Sequence, residues 1–357
     1  MTTTTPPAGR TAPPAGPAGT RAALVPLLFG FFPTQVLHVA ATLGVVDHLA
    51  AGPRTTRQLA DATGAHEPSL ARVLRALACF GVLDEIEPGT FGPGPHAGGL
   101  AADGPASLRH LVRLFAGPEV WRSWGELDEV VRTGEPAWPR VTGMSPFEHM
   151  AHDPAYRAMF DRAMSEGTRS AAPGILQAAD LGRFSWLVDV GGGDGTLLAA
   201  ALAAHPGLRG TVFDTAEGVQ AAPPVLAAHG VAGRGEVAAG DFFASVPAGA
   251  DAYLLKSVVH DWDDERARAI LATVRSAMPD GARMLVVEPV LPPTPSGSPD
   301  VLMMVMSDLN MLVCTGGRER TEDEFRTLLA GAGLALRSVT PAPGPTNYSV
   351  LEAEAAG

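Results

Sequence analysis

The sequence predicts an α/β protein: an open, mostly parallel sheet covered by helices on both faces, preceded by a smaller, mostly helical domain of winged-helix type. Three observations carry this reading. From Trp186 onward strand-like and helix-like segments alternate, the pattern of a parallel sheet with crossover helices. Between Leu43 and Gly94 the pattern is helical and then hairpin-like. The chain closes on LALRSVTPAPGPTNYSVLEAE, two strand-like runs joined by a Pro/Gly-rich link with no helix, so the last strand is expected to run antiparallel.

At the N-terminus, residues 1–20 are rich in Thr, Pro, Ala and Gly without apolar periodicity and are expected to be a disordered tail with no secretory signal. Leu24–Val46 is apolar, but Pro26, Gly30, Pro33, Gln35 and His38 interrupt it, and a membrane span would bury those groups in hydrocarbon. A pair of buried helices at a subunit interface is expected instead. In the following segment Leu59, Ala62, Leu70, Val73, Leu74 and Leu77 recur at helical spacing, and a Pro88-Gly89 turn separates two short strands. This is a winged-helix outline, placed at residues 21–112. Its second helix offers Arg72 and Arg75 amid Asp61, Glu67, Asp84, Glu85 and Glu87, a balance that suits a dimerising module better than a DNA reader.

Composition narrows the partners. The 357 residues, 46% of them hydrophobic, suffice for two domains, and a net charge of -12 disfavours a nucleic-acid surface. Two cysteines are too few for a disulfide framework, which favours a reducing, cytoplasmic setting. The expected ligand is a small molecule.

Residues 113–357 are expected to form the second domain, with leading helices between Leu108 and Asp180. One of these carries Tyr156, Met159, Phe160, Ala163 and Met164 as an apolar stripe, read first as core and second as a pocket wall. Strands are expected at Trp186–Val190, Thr211–Asp214, Gly235–Ala238, Ala252–Val259, Arg283–Val290, Leu334–Thr340 and Tyr348–Glu354. Ligands bind such sheets at the carboxyl ends of the strands, which directs attention to the residues just after them.

After the first of these strands comes Asp189-Val-Gly191-Gly-Gly193-Asp-Gly195, where glycines permit a sharp turn and close approach of a ligand to the backbone. The dinucleotide fingerprint needs a third glycine where Thr196 stands; the spacing is G-x-G-x-G, which disfavours pyrophosphate binding. Asp214 ends the next strand, where a carboxylate can accept both ribose hydroxyls of an adenosine. Asp241-Phe242-Phe243 follows the third and can bond an adenine amino group and cover its face.

These features, with GDFF, LLKSVVHDWDDE, VVEPVL and SDLNMLVCTGGRERTEDEF in that order, resemble the S-adenosylmethionine-dependent small-molecule O-methyltransferases, of the plant caffeic acid type and their bacterial natural-product relatives. The resemblance covers nearly everything after residue 20. It implies a Rossmann-like class I methyltransferase sheet, a homodimer and S-adenosyl-L-methionine as cofactor. It further implies that Asp189, Gly191, Gly193 and Gly195 surround the methionine part, that Asp214 holds the ribose, that Asp241 and Phe242 take the adenine, and that Lys256 and Ser257 line the cleft. On the acceptor side it points to Phe160, Met164, Asp261, Asp308 and Met311.

His260 is the expected general base, with Glu288 and Glu319 as the carboxylates that orient it and raise its basicity. Methyl transfer is an in-line displacement, so the protein has chiefly to align a nucleophile and help remove its proton. With a phenol near pKa 10 and a histidine near 6.5, complete prior deprotonation would cost roughly 5 kcal/mol, which neighbouring carboxylates reduce. Asp261 has an alternative role as cap of the next helix. No Cys/His cluster has zinc spacing and no compact magnesium motif is present, so no metal is expected. The expected reaction is O-methylation of an aromatic hydroxyl in natural-product biosynthesis. The alternatives are a C- or N-methyltransferase of the same family, or a winged-helix ligand-sensing regulator.

Overall fold

The computed structural model describes residues 16–357. Most of the expected tail lies outside the described residues, but Pro17–Thr20 already belong to the first helix. That helix, α1 (Pro17–Leu28), and α2 (Phe31–Leu43) meet at Gly30. Within the chain α1 buries no residue and α2 buries only Ala40 and Ala41, so the burial expected for them at a subunit interface would have to come from a second copy. Among the described residues Leu24, Leu27, Leu28, Phe29, Phe31 and Phe32 all stand exposed.

The helix–helix–hairpin order follows as expected. Strand β1 (Arg54–Thr55) leads into α3 (Thr56–Thr63), which opens on a capping box made by Thr55 and Gln58. Helix α4 (Glu67–Cys79) then buries Leu70, Leu74 and Leu77, and β2 (Leu83–Glu87) and β3 (Thr90–Pro93) form the hairpin, with β1 added to its far side.

A helical layer connects this unit to the sheet: α5 (Arg109–Phe115), α6 (Pro118–Gly125), α7 (Leu127–Thr133), α8 (Trp138–Thr142), α9 (Pro146–His152) and α10 (Pro154–Ala179). Tyr156 and Ala163 of the α10 stripe are buried in a cluster with Trp138, Met150 and Val313, while Met159, Phe160 and Met164 lie on its partly open edge. The core reading of the stripe thus holds for Tyr156 and Ala163.

The sheet strands are β4 (Trp186–Val190), β5 (Arg209–Asp214), β6 (Gly235–Ala239), β7 (Ala252–Lys256), β8 (Arg283–Leu291), β9 (Arg320–Thr321), β10 (Leu334–Pro341) and β11 (Tyr348–Ala355). Around them lie α11 (Thr196–Ala204), α12 (Ala222–Ala228), α13 (Asp264–Ala277), α14 (Pro299–Cys314) and α15 (Glu322–Gly331). The strand order is β10-β11-β8-β7-β4-β5-β6, with β9 beside the end of β8. Strands β4 to β8 pair in parallel, whereas β11 runs antiparallel to both β8 and β10, as the helix-free ending predicts. Strand order reverses between β4 and β7, and the crevice beyond their carboxyl ends is where such sheets hold ligands. Buried cores fill both faces: Val188, Tyr253 and Ile270 belong to one, and Leu187, Leu254 and Leu198 to the other. Consecutive residues of one strand thus face opposite cores, which explains the unbroken apolar runs of β4 and β7.

One boundary differs from expectation in a way that matters. The strand expected over Ala252–Val259 stops at Lys256, because Ser257 takes a left-handed conformation (φ 53°) and a single tight helical turn covers Val259–Asp261. The chain then turns away from the sheet, and the histidine is carried on a loop rather than at a strand end.

Candidate active site

The cleft is built from the carboxyl ends of β4 and β5 upward. Gly191 and Gly193 both have left-handed backbones. A Cβ on Gly191 would come within 2.6 Å of the Val258 side chain, whereas one on Gly193 would meet nothing within 4 Å. Gly191 is thus needed for packing beneath the turn, and Gly193 faces open space in which a ligand can approach the backbone. Asp214 spans the turn, its Oδ2 accepting the Gly193 N–H at 3.0 Å and its Oδ1 the Thr215 N–H at 2.7 Å. Asp189, in contrast, is buried under the turn, where burial pushes its carboxyl up to about 7 against the pull of Lys256.

Asp241 is exposed and uses Oδ1 to accept the Phe243 N–H at 2.8 Å. Phe242 lies half-buried with Trp262 at 6.4 Å, and Phe243 packs edge-on to the same indole at 5.0 Å. Lys256 Nζ stands 3.3 Å from Ser257 Oγ and 5.2 Å from the Tyr348 ring, and Ser257 Oγ hydrogen-bonds the Tyr348 hydroxyl at 2.8 Å. The acidic residues Asp161 and Asp194 lie close to Asp214, and burial pushes the Asp161 carboxyl up, opposed by Arg157. Such a group of carboxylates suits a ligand that carries positive charge.

His260 is held from three sides. Its Nδ1 lies 2.9 Å from Glu319 Oε1 and 3.4 Å from Glu288 Oε2, and both glutamate side chains are fully buried. Glu288 Oε1 also accepts the backbone N–H groups of Val258, Val259 and His260 at 3.0, 2.9 and 3.3 Å, so the left-handed Ser257 is what aims this loop at β8. Burial disfavours the imidazolium, but the charges of Glu288 and then Glu319 outweigh it and hold His260 well above its ordinary 6.5. Burial likewise pushes Glu288 up to about 7, with the His260 charge opposing. The second imidazole nitrogen, Nε2, has Asp261 Oδ1 at 3.8 Å and makes no hydrogen bond among the described residues.

The structure reassigns one expected role. The cap of α13 is Asp263, whose carboxylate accepts the Arg266 N–H, not Asp261. Asp308 turns its carboxylate to the Glu319 N–H at 2.9 Å, and Ser307 donates to Glu319 Oε1 at 2.8 Å. Asp308 therefore steadies the glutamate. Phe160 and Met164 on α10 and Met311 on α14 are half-buried, and Trp124 of α6 donates to Asn310 Oδ1 at 3.0 Å.

Two supporting residues escape the sequence reading. Arg320 is only 1% exposed, and its guanidinium bonds the carbonyls of Val259 and Trp262 and the Asp264 carboxylate, tying the histidine loop to α13. Gly317 lies so close to the His260 carbonyl that a Cβ there would overlap it, while the next N–H, from Arg318, donates to that carbonyl at 2.9 Å. The sequence signal was GGRERT itself, of which only the glutamate had an evident chemical use.

Comparison with known proteins decides the family. Residues 124–335 match the O-methyltransferase domain and residues 25–103 the O-methyltransferase dimerisation domain. The chain belongs to the O-methyltransferase family. It is 40% identical over 338 residues to O-demethylpuromycin-O-methyltransferase of Streptomyces alboniger, covering 94% of this chain and 89% of that one. Its structure is similar to that of mitomycin 7-O-methyltransferase, with TM-score 0.86 and 37% identity over 95% of this chain and 98% of that chain. An O-methyltransferase from neocarzinostatin biosynthesis, solved with S-adenosylmethionine and 2-hydroxy-5-methyl naphthoic acid, aligns with TM-score 0.76 and 38% identity over 90% of this chain and 96% of that chain. The protein is thus an S-adenosylmethionine-dependent O-methyltransferase with a Rossmann-like sheet and a dimerisation domain. The regulator alternative falls away. The cleft fits the cofactor: an open backbone turn at Gly193, a strand-end carboxylate at Asp214 and carboxylates nearby to face a sulfonium and an ammonium.

Proposed function

We propose that this O-methyltransferase methylates a phenolic hydroxyl of a small aromatic natural product, with His260 as general base and no metal ion. One observation carries the reading: a histidine beyond the end of β7, with Nδ1 set against two fully buried carboxylates and Nε2 without a hydrogen bond among the described residues. S-adenosylmethionine, when bound, supplies a methyl group on positively charged sulfur. Asp214 and the open face of Gly193 would hold it on one side, and Asp241 with Phe242 would take its adenine.

The chain's own task is to place the acceptor oxygen and receive its proton. Nε2 takes that proton, and Glu319 and Glu288 stabilise the resulting imidazolium through Nδ1. The half-buried edge formed by Phe160, Met164 and Trp124 supplies an apolar wall for an aromatic ring, with Met311 and Asp261 on the acceptor side of the histidine loop. Lys256 and Ser257 would line the floor between the two ligands, and Asp189 would support it.

His260, Glu288 and Glu319 bring ligand atoms within 4.8 Å of one another, an arrangement that could hold a cation. The proton reading is preferred because Nδ1 lies at hydrogen-bond distance from Glu319, whose Oε1 also accepts from Ser307. Metal chelation should leave turnover unchanged.

The same proposal includes a homodimer formed through the exposed apolar faces of α1 and α2, a cytoplasmic setting in keeping with the free thiols of Cys79 and Cys314, and no nucleic-acid or membrane partner. By length and composition alone Pro17–Leu43 could cross a membrane, but the match to a dimerisation domain favours protein as its cover. The direct test is a mass-spectrometric screen of phenolic acids, polyketide phenols and hydroxylated amino acids with S-adenosylmethionine, repeated with His260→Ala. Product formation by the native enzyme with loss of roughly 10²–10⁴ in kcat for the variant, cofactor affinity unchanged, is expected. A variant that keeps most of its kcat would remove His260 as the base.

A further inference from the structure

Among the described residues only two other than glycine have left-handed backbones, Asp180 and Ser257. Asp180 closes α10, a place where that conformation is ordinary. Ser257 closes no helix. It follows β7 at φ 53°, a conformation that a side chain disfavours, so a contact has to hold it there.

The histidine loop depends on this turn. A left-handed residue followed by a right-handed one, here Ser257 and Val258, turns successive N–H groups to one side and makes a concavity for an anion. The N–H groups of Val258, Val259 and His260 converge in this way on Glu288 Oε1. The conformation of Ser257 therefore seats the His260 backbone on the carboxylate that also faces its ring.

The Ser257 side chain has two partners among the described residues. Lys256 donates to Oγ at 3.3 Å, but it is the adjacent residue and reaches there on a long, flexible stem. The other partner is the Tyr348 hydroxyl at 2.8 Å, a tie to a different element. Tyr348 is itself anchored: it opens β11, where it lies opposite Pro289 while Ser349 lies opposite Glu288. Its carbonyl accepts the Ala342 N–H at 2.9 Å, and Asn347 beside it donates to the Asp300 carbonyl of α14 at 3.0 Å. A tyrosine fixed against the strand of Glu288 thus grips the residue that shapes the seat for Glu288.

We propose that Tyr348 is a positioning residue for methyl transfer: its hydroxyl keeps Ser257 left-handed and so holds the His260 loop on Glu288. This role rests on the reading of His260 as the base, and it gives the terminal antiparallel strand a part in the reaction.

The test compares Tyr348→Phe in the native chain and in a Ser257→Gly background, since glycine takes the left-handed turn unaided. Burial disfavours the His260 imidazolium, while Glu288, Glu319 and Asp261 favour it, so a loop that leaves Glu288 should titrate lower. Ring-carbon NMR of the isotope-labelled full chain across pH reads this, with the His260 signal assigned by its loss in His260→Ala. Tyr348→Phe should lower the His260 titration by roughly 0.5 pH unit or more, part of what one carboxylate at this range supplies. In the Ser257→Gly background the same change should move it little. With a phenol that the native enzyme methylates, kcat should fall roughly tenfold in the native background, the scale of a misplaced catalytic group, and much less in the glycine one. An unmoved titration, or an equal shift in both backgrounds, overturns the proposal. So does weaker S-adenosylmethionine binding in both backgrounds, which would put the hydroxyl on the cofactor instead. Because the titration needs no turnover, it judges the tie from Tyr348 to the loop even where His260→Ala keeps its kcat and the base reading falls.

Discussion

Glu288 engages His260 twice: its Oε1 accepts the His260 backbone N–H at 3.3 Å, and its Oε2 lies 3.4 Å from Nδ1 of the same residue. One carboxylate therefore fixes both the loop that carries the ring and the charge the ring adopts. Because Glu288 and Glu319 hold His260 well above 6.5, the resting site is protonated at and somewhat above that pH. It must lose this proton before it can accept another.

The pH dependence follows from that sign. A base whose folded pKa is raised becomes competent only as pH climbs through the raised value, so kcat/KM should rise on the alkaline side of 6.5. The stabilisation from this proton is fully present below 6.5 and lost as pH rises through the folded value. In Glu319→Gln the rising limb should move to lower pH and kcat should fall at its plateau, since the imidazolium loses a carboxylate 2.9 Å away. A kcat/KM profile for both proteins, measured from pH 5.5 upward, checks this; an unmoved limb would show that the pair does not set the base.

Gly317 should tolerate no side chain. Any Cβ there overlaps the His260 carbonyl, and the backbone cannot yield, since the Arg318 N–H and the Arg320 guanidinium both bind this loop. Gly317→Ala should lower kcat by tenfold or more, on the rough scale set for misplaced catalytic groups, with little change in cofactor Kd. Turnover and cofactor titration on the purified variant, alongside circular dichroism to confirm folding, separate a displaced histidine from an unfolded chain.

Asp214 links the glycine turn to the end of β5 through the Gly193 N–H. Asp214→Ala removes that acceptor together with the carboxylate proposed for the ribose. Loss of hydrogen bonds to a charged group should weaken S-adenosylmethionine binding by roughly tenfold to a hundredfold. Equilibrium titration with the cofactor alone reads this without any acceptor; an unchanged Kd would place the ribose elsewhere.

Much of this arrangement was legible in the sequence because it rests on local signals. Apolar runs and helix-like intervals mark β4 to β8, and the missing helix before Tyr348 marks the antiparallel end. His260, Glu288 and Glu319 are readable as a set only through the family's motifs, since 28 and 59 residues separate the histidine from its partners. What stayed hidden depends on tertiary contact. Nothing in the local sequence says that Ser257 adopts φ 53° and ends the strand early, that Asp308 turns to the Glu319 backbone, or that Arg320 is buried beneath the loop. Apolar content likewise predicts that the face of α1 and α2 is covered, and at the expected subunit interface that cover comes from another chain.

That face gives the last prediction. Leu27 and Leu28 are 70% and 65% exposed, Phe32 is 53% exposed, and among the described residues the ring contacts of Phe29, Phe31 and Phe32 are with one another and with Trp121. Such a contiguous apolar surface on a chain that carries a dimerisation domain calls for a second copy. Leu27→Lys with Phe32→Lys should convert a dimer at micromolar concentration into a monomer, because each charge would be desolvated without a partner. Neither side chain is buried within the chain, so the monomer should remain folded. Sedimentation velocity on both proteins decides it: a monomeric parent or a dimeric variant would show that other surfaces join the subunits.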